Sequence, residues 1–226
     1  MEAAHKDKEV MTASTIPKQY KEYEEVFSEE AARHFPPIRE DDHAINFKEG
    51  MPDTFSCKIY PISTPETNFL RDWIDENLQK NFICESKSPY ASPTFLIKKK
   101  NGDYWVIQNY QQLNTWTVPD MSPLPLIAPL IEKLHGRTLF TKFDIWRRYH
   151  NIWIRKGDQQ KGAFKTPLGQ YEPIVMNFGL RNALATFQRI MNKLLWPIKA
   201  CYGEDIQEYM DNILIATRDD LDYQER

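Results

Sequence analysis

The chain has 226 residues, of which 41% are apolar and 13% aromatic, a composition that supports one or two hydrophobic cores and excludes wholesale disorder. Its three cysteines (Cys57, Cys84 and Cys201) lie far apart and include no Cys-x-x-Cys pair, which argues against a disulfide framework and a zinc site. No apolar run reaches the length of a membrane span, and the N-terminus lacks a secretory signal. We therefore expect an intracellular protein, cytoplasmic or nuclear, that is not secreted and has no membrane partner.

The net charge of −3 conceals a basic middle segment. Residues 86–199 carry 17 basic and 6 acidic side chains, a local charge of +11, with aromatic residues interleaved among them. Lys and Arg displace counterions from a phosphate backbone while aromatic rings stack on bases, so this segment favours nucleic-acid binding. The alternative is a solvated basic surface with no ligand.

The first predicted element is an acidic helix from Tyr20 to Phe35, ended by Pro36 and Pro37 and preceded by a flexible leader. Further on, Ser63 is followed three residues later by Glu66, a spacing typical of the capping box that begins a helix. Apolar residues then recur at helical spacing. We therefore expect an amphipathic helix after Ser63.

Two apolar runs, Thr94 to Lys98 and Tyr104 to Gln108, flank a segment that contains Asn101-Gly102. An Asn-Gly pair between such runs is the strongest short-range signal for a β-hairpin. The lysines at 98, 99 and 100 lead into its tip.

The second half of the chain is predicted to hold most of the sheet and one long helix. Strands are expected over Thr138–Asp144, Asn151–Arg155, Gly162–Thr166 and Glu172–Met176. A helix capped by Asn182 carries an apolar stripe and is expected to end at Pro197. Strands that pair locally, with helices placed irregularly among them, indicate an α+β fold rather than a doubly wound parallel sheet.

The segment from Glu208 to Thr217 reads as two apolar strands joined by a tight turn that holds Asp211. Asp144 ends another predicted strand, so neighbouring strands of one sheet would bring the two carboxylates together. Two convergent carboxylates can hold the metal pair that phosphoryl transfer needs. The alternative is that turn geometry alone favours Asp at both positions.

Seven sequence blocks, in order and at family spacing from about residue 40 to the C-terminus, resemble the reverse transcriptases of Gypsy-type long-terminal-repeat retrotransposons. The blocks are Ser86–Pro93, Phe95–Gly102, Phe143–Ile145, Tyr149-His150, Phe178–Leu180, Ala185–Gln188 and Tyr209–Asp211. The resemblance implies a fingers and palm architecture in which an antiparallel palm sheet is backed by helices. It divides the chain into an acidic, partly flexible leader (1–40), a fingers region (41–133) and a palm (134–226). In this division the second part of the fingers is inserted in the palm, which is truncated after the hairpin, and the thumb is absent.

The resemblance also implies the site residues. Asp144 and Asp211 would be catalytic and would bind Mg²⁺, or Mn²⁺ in its place, with the backbone carbonyl of Ile145 as a further ligand. Asn212 stands at a degenerate catalytic position where relatives carry a second Asp.

Three further residues would bind the incoming deoxynucleoside triphosphate. Lys99 would reach its phosphates, Tyr149 would lie under its sugar and favour deoxyribose, and Phe178 would lie near its base and sugar. The plainer interpretation is a solvated turn lysine and two packed aromatic residues.

Departures from the family pattern predict impaired activity. An amide at Asn212 cannot supply the negative charge of an aspartate. Trp105 and Gln111 each replace an Arg, which removes cations from the nucleotide and template region, and Arg148 replaces a Gly beside the nucleotide site.

The predicted function is that of the reverse transcriptase domain of a retrotransposon polyprotein. It would add deoxynucleotides to a primer on an RNA or DNA template by two-metal phosphoryl transfer, impaired in this copy. One alternative is a catalytically dead remnant that still binds nucleic acid. Another is a decayed fragment with no selected function.

Overall fold

The computed structural model describes residues 16, 18–28, 35–55, 57–100, 102–123, 125–146 and 148–218. The chain divides into two compact units, residues 1–37 and 38–226. In the first unit a 3₁₀ helix spans Lys18–Phe27 and is kinked at Tyr23. The acidic helix predicted from Tyr20 is thus present in part and is of 3₁₀ type, whereas its positions 29–34 and nearly all of the predicted leader lie outside the described residues.

The second unit mixes helices and strands. Its described α-helices are α1 (Thr64–Gln79), α2 (Gln111–Trp116), α3 (Ile127–Glu132) and α4 (Ala183–Tyr202). Its described strands are β1 (Ile83–Glu85), β2 (Ser92–Lys98), β3 (Tyr104–Gln108), β4 (Leu139–Asp144), β5 (Phe164–Thr166), β6 (Gly169–Pro173), β7 (Ile206–Tyr209) and β8 (Asn212–Thr217). Short 3₁₀ helices cover Arg148–Asn151, Gln159–Gly162 and Gly203–Asp205. No helix in these described segments is long and apolar enough to cross a membrane.

The strands form two sheets. The larger sheet has the order β1-β6-β5-β2-β3 and is antiparallel except for the β2–β5 pair, which is parallel. The smaller sheet, β4-β8-β7, is wholly antiparallel. The predicted mixture of helices with largely antiparallel strands is therefore confirmed, but the parallel pair was not predicted, because it joins segments that are distant in sequence.

The described buried apolar residues form two hydrophobic clusters. Helix α1 packs Leu70 and Ile74 against Val106 and Phe164 of the larger sheet. The other core gathers around the buried face of α4, and its members are Ile45, Phe55, Tyr110, Leu113, Ile152, Ile154, Met176, Leu180, Ala183, Phe187, Ile190, Met191 and Leu195. Ile213 of β8 packs against this second core, so the hairpin that carries Asp211 is anchored to α4.

Several predicted elements are correct. Helix α1 begins after Ser63, whose backbone N–H donates to Glu66 Oε2 at 2.7 Å, as in the expected capping box. The β2–β3 hairpin pairs Lys98 with Tyr104 across the predicted turn, in which Gly102 has a φ of 93°. Asn101 lies outside the described residues.

The strand predicted over Asn151–Arg155 is wrong. A 3₁₀ helix reaches Asn151, and the residues after it make only isolated bridges, Trp153 with Val175 and Ile154 with His43. Their alternating burial comes from packing between loops rather than from a continuous ladder.

The next two predicted strands are displaced. The first begins at Phe164 because residues 159–162 form a 3₁₀ helix, and the second, β6, lies three residues earlier than expected. The cause is a tight hairpin in which Thr166 pairs with Gly169, whose φ is 153°. Pro167 and Leu168 make the turn.

Helix α4 begins directly after Asn182, as predicted, but it lacks the side-chain cap and extends beyond its predicted end. Asn182 has a left-handed backbone (φ 70°) and its side chain bonds to the backbone of Val118 and Asp120 rather than capping the helix. The helix continues through Pro197 to Tyr202. In the turns after Pro197, Lys199 Nζ donates to both oxygens of the buried Glu208 carboxylate, at 2.6 and 2.9 Å.

Candidate active site

The smaller sheet places Asp144 and Asp211 at the same edge. The antiparallel register of β4 and β8 runs from Leu139 opposite Thr217 to Asp144 opposite Asn212, directly after Asp211. The backbone N–H of Ile145 then donates to the carbonyl of Asp211 at 2.8 Å. The structure therefore brings together Asp144, Ile145, Asp211 and Asn212, as the strand positions predicted.

A buried glutamine supports the turn between β7 and β8. The two turn residues are Met210 and Asp211, and Met210 has a φ of 56°, in the left-handed region that disfavours a side chain. Gln188 on α4, only 2% exposed, accepts the Met210 N–H at 3.1 Å through its Oε1. This hydrogen bond ties the turn to the helix behind it. The block that contains Gln188 contributed to the family resemblance, but this role was not predicted.

The Asp211 carboxylate is bonded within the chain. Arg148 Nη1 lies 2.7 Å from Asp211 Oδ1, and Asn212 Nδ2 donates to the same oxygen at 3.2 Å. The Arg148 and Asp211 side chains are 26% and 23% exposed. One carboxylate oxygen thus receives both a full positive charge and an amide donor.

Arg148 is held from its other side by an aromatic ring. Its guanidinium carbon lies 4.6 Å from the ring centroid of Tyr149, within range of a cation–π interaction. The Tyr149 ring packs edge-on against Phe178 and the buried Phe187, with centroid distances of 5.7 and 6.2 Å. Burial raises the pKa of Tyr149, a shift that the charge of Arg148 opposes and that of Asp211 reinforces.

The remaining predicted nucleotide residues lie in two places. Phe178 is 62% exposed beside Tyr149, and its ring centroid is 6.4 Å from that of Trp105, which is 55% exposed. Lys99 is exposed in the loop of the β2–β3 hairpin, which belongs to the larger sheet. The structure therefore brings Tyr149 and Phe178 to the edge that carries the two acids and places Lys99 on a separate hairpin.

Comparisons with known proteins identify the family. A family model described as "Reverse transcriptase (RNA-dependent DNA polymerase)" matches residues 97–225. The Tf2-7, Tf2-8 and Tf2-3 transposon polyproteins of Schizosaccharomyces pombe are each 33% identical to this chain over 211 residues. The aligned region covers 92% of this chain and 15% of each polyprotein.

The chain therefore belongs to the reverse transcriptase family. More narrowly, the relatives that it resembles are transposon polyproteins, in agreement with the retrotransposon origin predicted from the order of the motifs.

Reverse transcriptases generally use divalent metal ions, so the donor set at this edge is informative. Asp144 and Asp211 are its only two predicted carboxylate ligands, and the described segments contain no group of three or more His, Cys, Asp or Glu side chains suited to a metal ion. Asp211 Oδ1 already receives a guanidinium and an amide. In this arrangement the residues do not fit a pair of divalent ions, which requires several anionic oxygen ligands.

Proposed function

We propose that this chain retains the nucleic-acid-binding framework of a reverse transcriptase but is impaired in DNA synthesis. The inherited reaction is template-directed addition of deoxynucleotides to a primer 3′ hydroxyl, on RNA or DNA, by two-metal phosphoryl transfer with Mg²⁺ or Mn²⁺. The residues inherited for that metal pair are Asp144, Asp211 and the carbonyl of Ile145, with Asn212 at the degenerate position.

One observation carries the proposal of impairment: the Asp211 carboxylate is bonded to Asn212 and Arg148 instead of standing beside a second carboxylate. An amide adds no negative charge where the family uses one, and a guanidinium cancels part of the charge that remains. Loss of such a carboxylate corresponds to several kcal/mol of transition-state stabilisation, or roughly two or more decades of rate.

The residues predicted to bind the incoming nucleotide also support the proposed nucleic-acid-binding framework. The exposed ring of Phe178 and the half-buried ring of Tyr149 form one face beside the two acids. We propose that these rings contact the base and sugar of an incoming deoxynucleotide, and that Lys99 approaches its phosphates from the β2–β3 hairpin. In this assignment residues 41–133 form the fingers, and residues 134–226 form the palm with part of the fingers inserted.

Primer extension with Mg²⁺ or Mn²⁺ tests the impairment. We expect little or no extension by the unmodified chain and a gain of about two decades for Asn212→Asp, because that change restores a carboxylate. The matched control is Asn68→Asp, which adds the same charge at an exposed position on α1 and should change nothing. Robust extension by the unmodified chain would refute the impairment.

A second candidate function, nucleic-acid binding without chemistry, is favoured by the basic middle segment and the exposed rings of Trp105 and Phe178. At least eight of the 17 cations in residues 86–199 form ion pairs with carboxylates, so the sequence count overstates the charge that is available to phosphates. Salt-dependent binding of a primer–template, without extension even by the Asn212→Asp variant, would favour this function.

A further inference from the structure

We infer that Arg148 acts as an internal cation that neutralises Asp211 and keeps a divalent metal ion away from it. The inference rests on the proposed function, in which Asp211 is an inherited metal ligand. It goes further by assigning the exclusion of metal to a residue outside the Asp211-Asn212 pair.

The contact between the two side chains is short and permanently charged. Arg148 Nη1 is 2.7 Å from Asp211 Oδ1, the distance of a charge-assisted hydrogen bond. A guanidinium is a cation that donates hydrogen bonds and accepts none. Asp211 Oδ1 therefore has a positively charged partner.

Arg148 is also preorganised for this contact. Its guanidinium stacks over Tyr149 at 4.6 Å, and Tyr149 is held in turn by the buried ring of Phe187. The local backbone keeps Arg148 near the turn, because it begins the 3₁₀ helix that closely follows Ile145, whose N–H is bonded to the Asp211 carbonyl. A side chain held in this way loses little further conformational entropy when it binds the carboxylate.

A metal ion that binds Asp211 through Oδ1 would have to displace two donors, and one that binds through the other oxygen would still lie beside the guanidinium. The Asn212 amide occupies a second direction at Asp211 Oδ1, at 3.2 Å. The ion would also meet repulsion from the guanidinium, because both are cations. Asp144 alone would then have to supply the anionic charge that a divalent ion prefers.

The exposure of the pair separates it from a purely structural ion pair. The Arg137–Asp205 pair of the same chain is enclosed, with side chains only 12% and 9% exposed. Arg148 and Asp211 are 26% and 23% exposed, so removal of Arg148 opens Asp211 to water and ions. Loss of Arg148 should therefore change metal binding more than it changes folding.

Titration with Mn²⁺, followed by loss of the free-ion electron paramagnetic resonance signal, tests the inference without any activity measurement. We expect Arg148→Gln to bind Mn²⁺ about tenfold more tightly than the unmodified chain, because the charge-assisted hydrogen bond from Arg148 no longer competes with the ion for Asp211. Adding Asp211→Asn to Arg148→Gln should abolish the gain. Lys193→Gln, which removes one cation from the exposed pair with Asp41, should leave Mn²⁺ affinity unchanged.

Equal Mn²⁺ affinity in the unmodified chain and Arg148→Gln would overturn the inference, including the case in which neither binds. A gain that survives Asp211→Asn would overturn it as well. Far-UV circular dichroism confirms folding of each variant, and Arg148→Ala replaces Arg148→Gln if the latter does not fold. Unchanged Mn²⁺ affinity together with absent primer extension would overturn the inference and leave the proposed impairment standing, so the two failures can be told apart.

Discussion

Acidification should destabilise this protein through one buried histidine, His43. Its side chain is fully buried, its Nδ1 lies 3.1 Å from Thr186 Oγ1, and its Nε2 is buried with no hydrogen-bond partner among the described residues. Burial lowers the pKa of His43 to about 4; the charge of Asp158 opposes this effect, that of Arg189 reinforces it, and that of Asp120 opposes it most weakly. Protonation would place a charge and an unpaired donor inside the core.

The direction and size of the effect follow from the two pKa values. In the unfolded chain a histidine takes up its proton near pH 6.5, whereas the folded protein resists protonation until about pH 4. Between these values the unfolded state binds more protons, so the free energy of unfolding falls as the pH falls. The full loss is about 3 kcal/mol, of which about 2 kcal/mol is lost by pH 5.

Urea unfolding at pH 7.5 and pH 5 measures this loss. The free energy of unfolding of His43→Gln should depend less on pH than that of the unmodified protein, by about 2 kcal/mol over this interval, because Gln does not titrate. His135→Gln, at an exposed position, should retain the dependence of the unmodified protein. Equal dependence in His43→Gln and the unmodified protein would refute the reasoning.

Three further predictions concern stability and binding. Arg137→Ala should lower the free energy of unfolding by about 1.5–3 kcal/mol in a urea titration, because it removes a charge-assisted hydrogen bond to the enclosed Asp205 carboxylate. Tyr110→Phe should lower it by about 1–2 kcal/mol, because the buried hydroxyl donates to the Gly162 carbonyl at 3.0 Å; an unchanged midpoint would show that the bond is dispensable. If Lys99 contacts phosphate, Lys99→Ala should weaken primer–template binding and reduce the slope of log affinity against log salt by about 1, whereas an unchanged slope would remove Lys99 from the interface.

Short-range sequence patterns correctly predicted several elements. The capping box before α1, the β2–β3 hairpin and the strands around Asp211 all have strong short-range signals, and the structure contains each of them. The loops between residues 151 and 176 were predicted less well. Their burial arises from contacts such as His43 with Ile154, which join segments that are distant in sequence.

The sequence likewise predicted some features of the candidate site and not others. The sequence identified Asp144, Asp211 and the Asn that replaces an Asp at position 212, because residue spacing and family motifs predict strand ends and turns. It also identified Arg148 as a departure from the family pattern, but not its ion pair with Asp211 or the support that Gln188 gives the turn. Both contacts depend on side-chain directions that only packing determines.

By itself, then, the sequence determined the family, the order of the motifs and the chemical identity of the groups at the sheet edge. Tertiary structure decided how those groups neutralise one another. A residue's charge can be read from one letter, but its partner depends on which distant segments the cores bring within hydrogen-bonding distance. For Asp211, that partner is the Arg148 guanidinium, held at 2.7 Å by a ring that packs on α4.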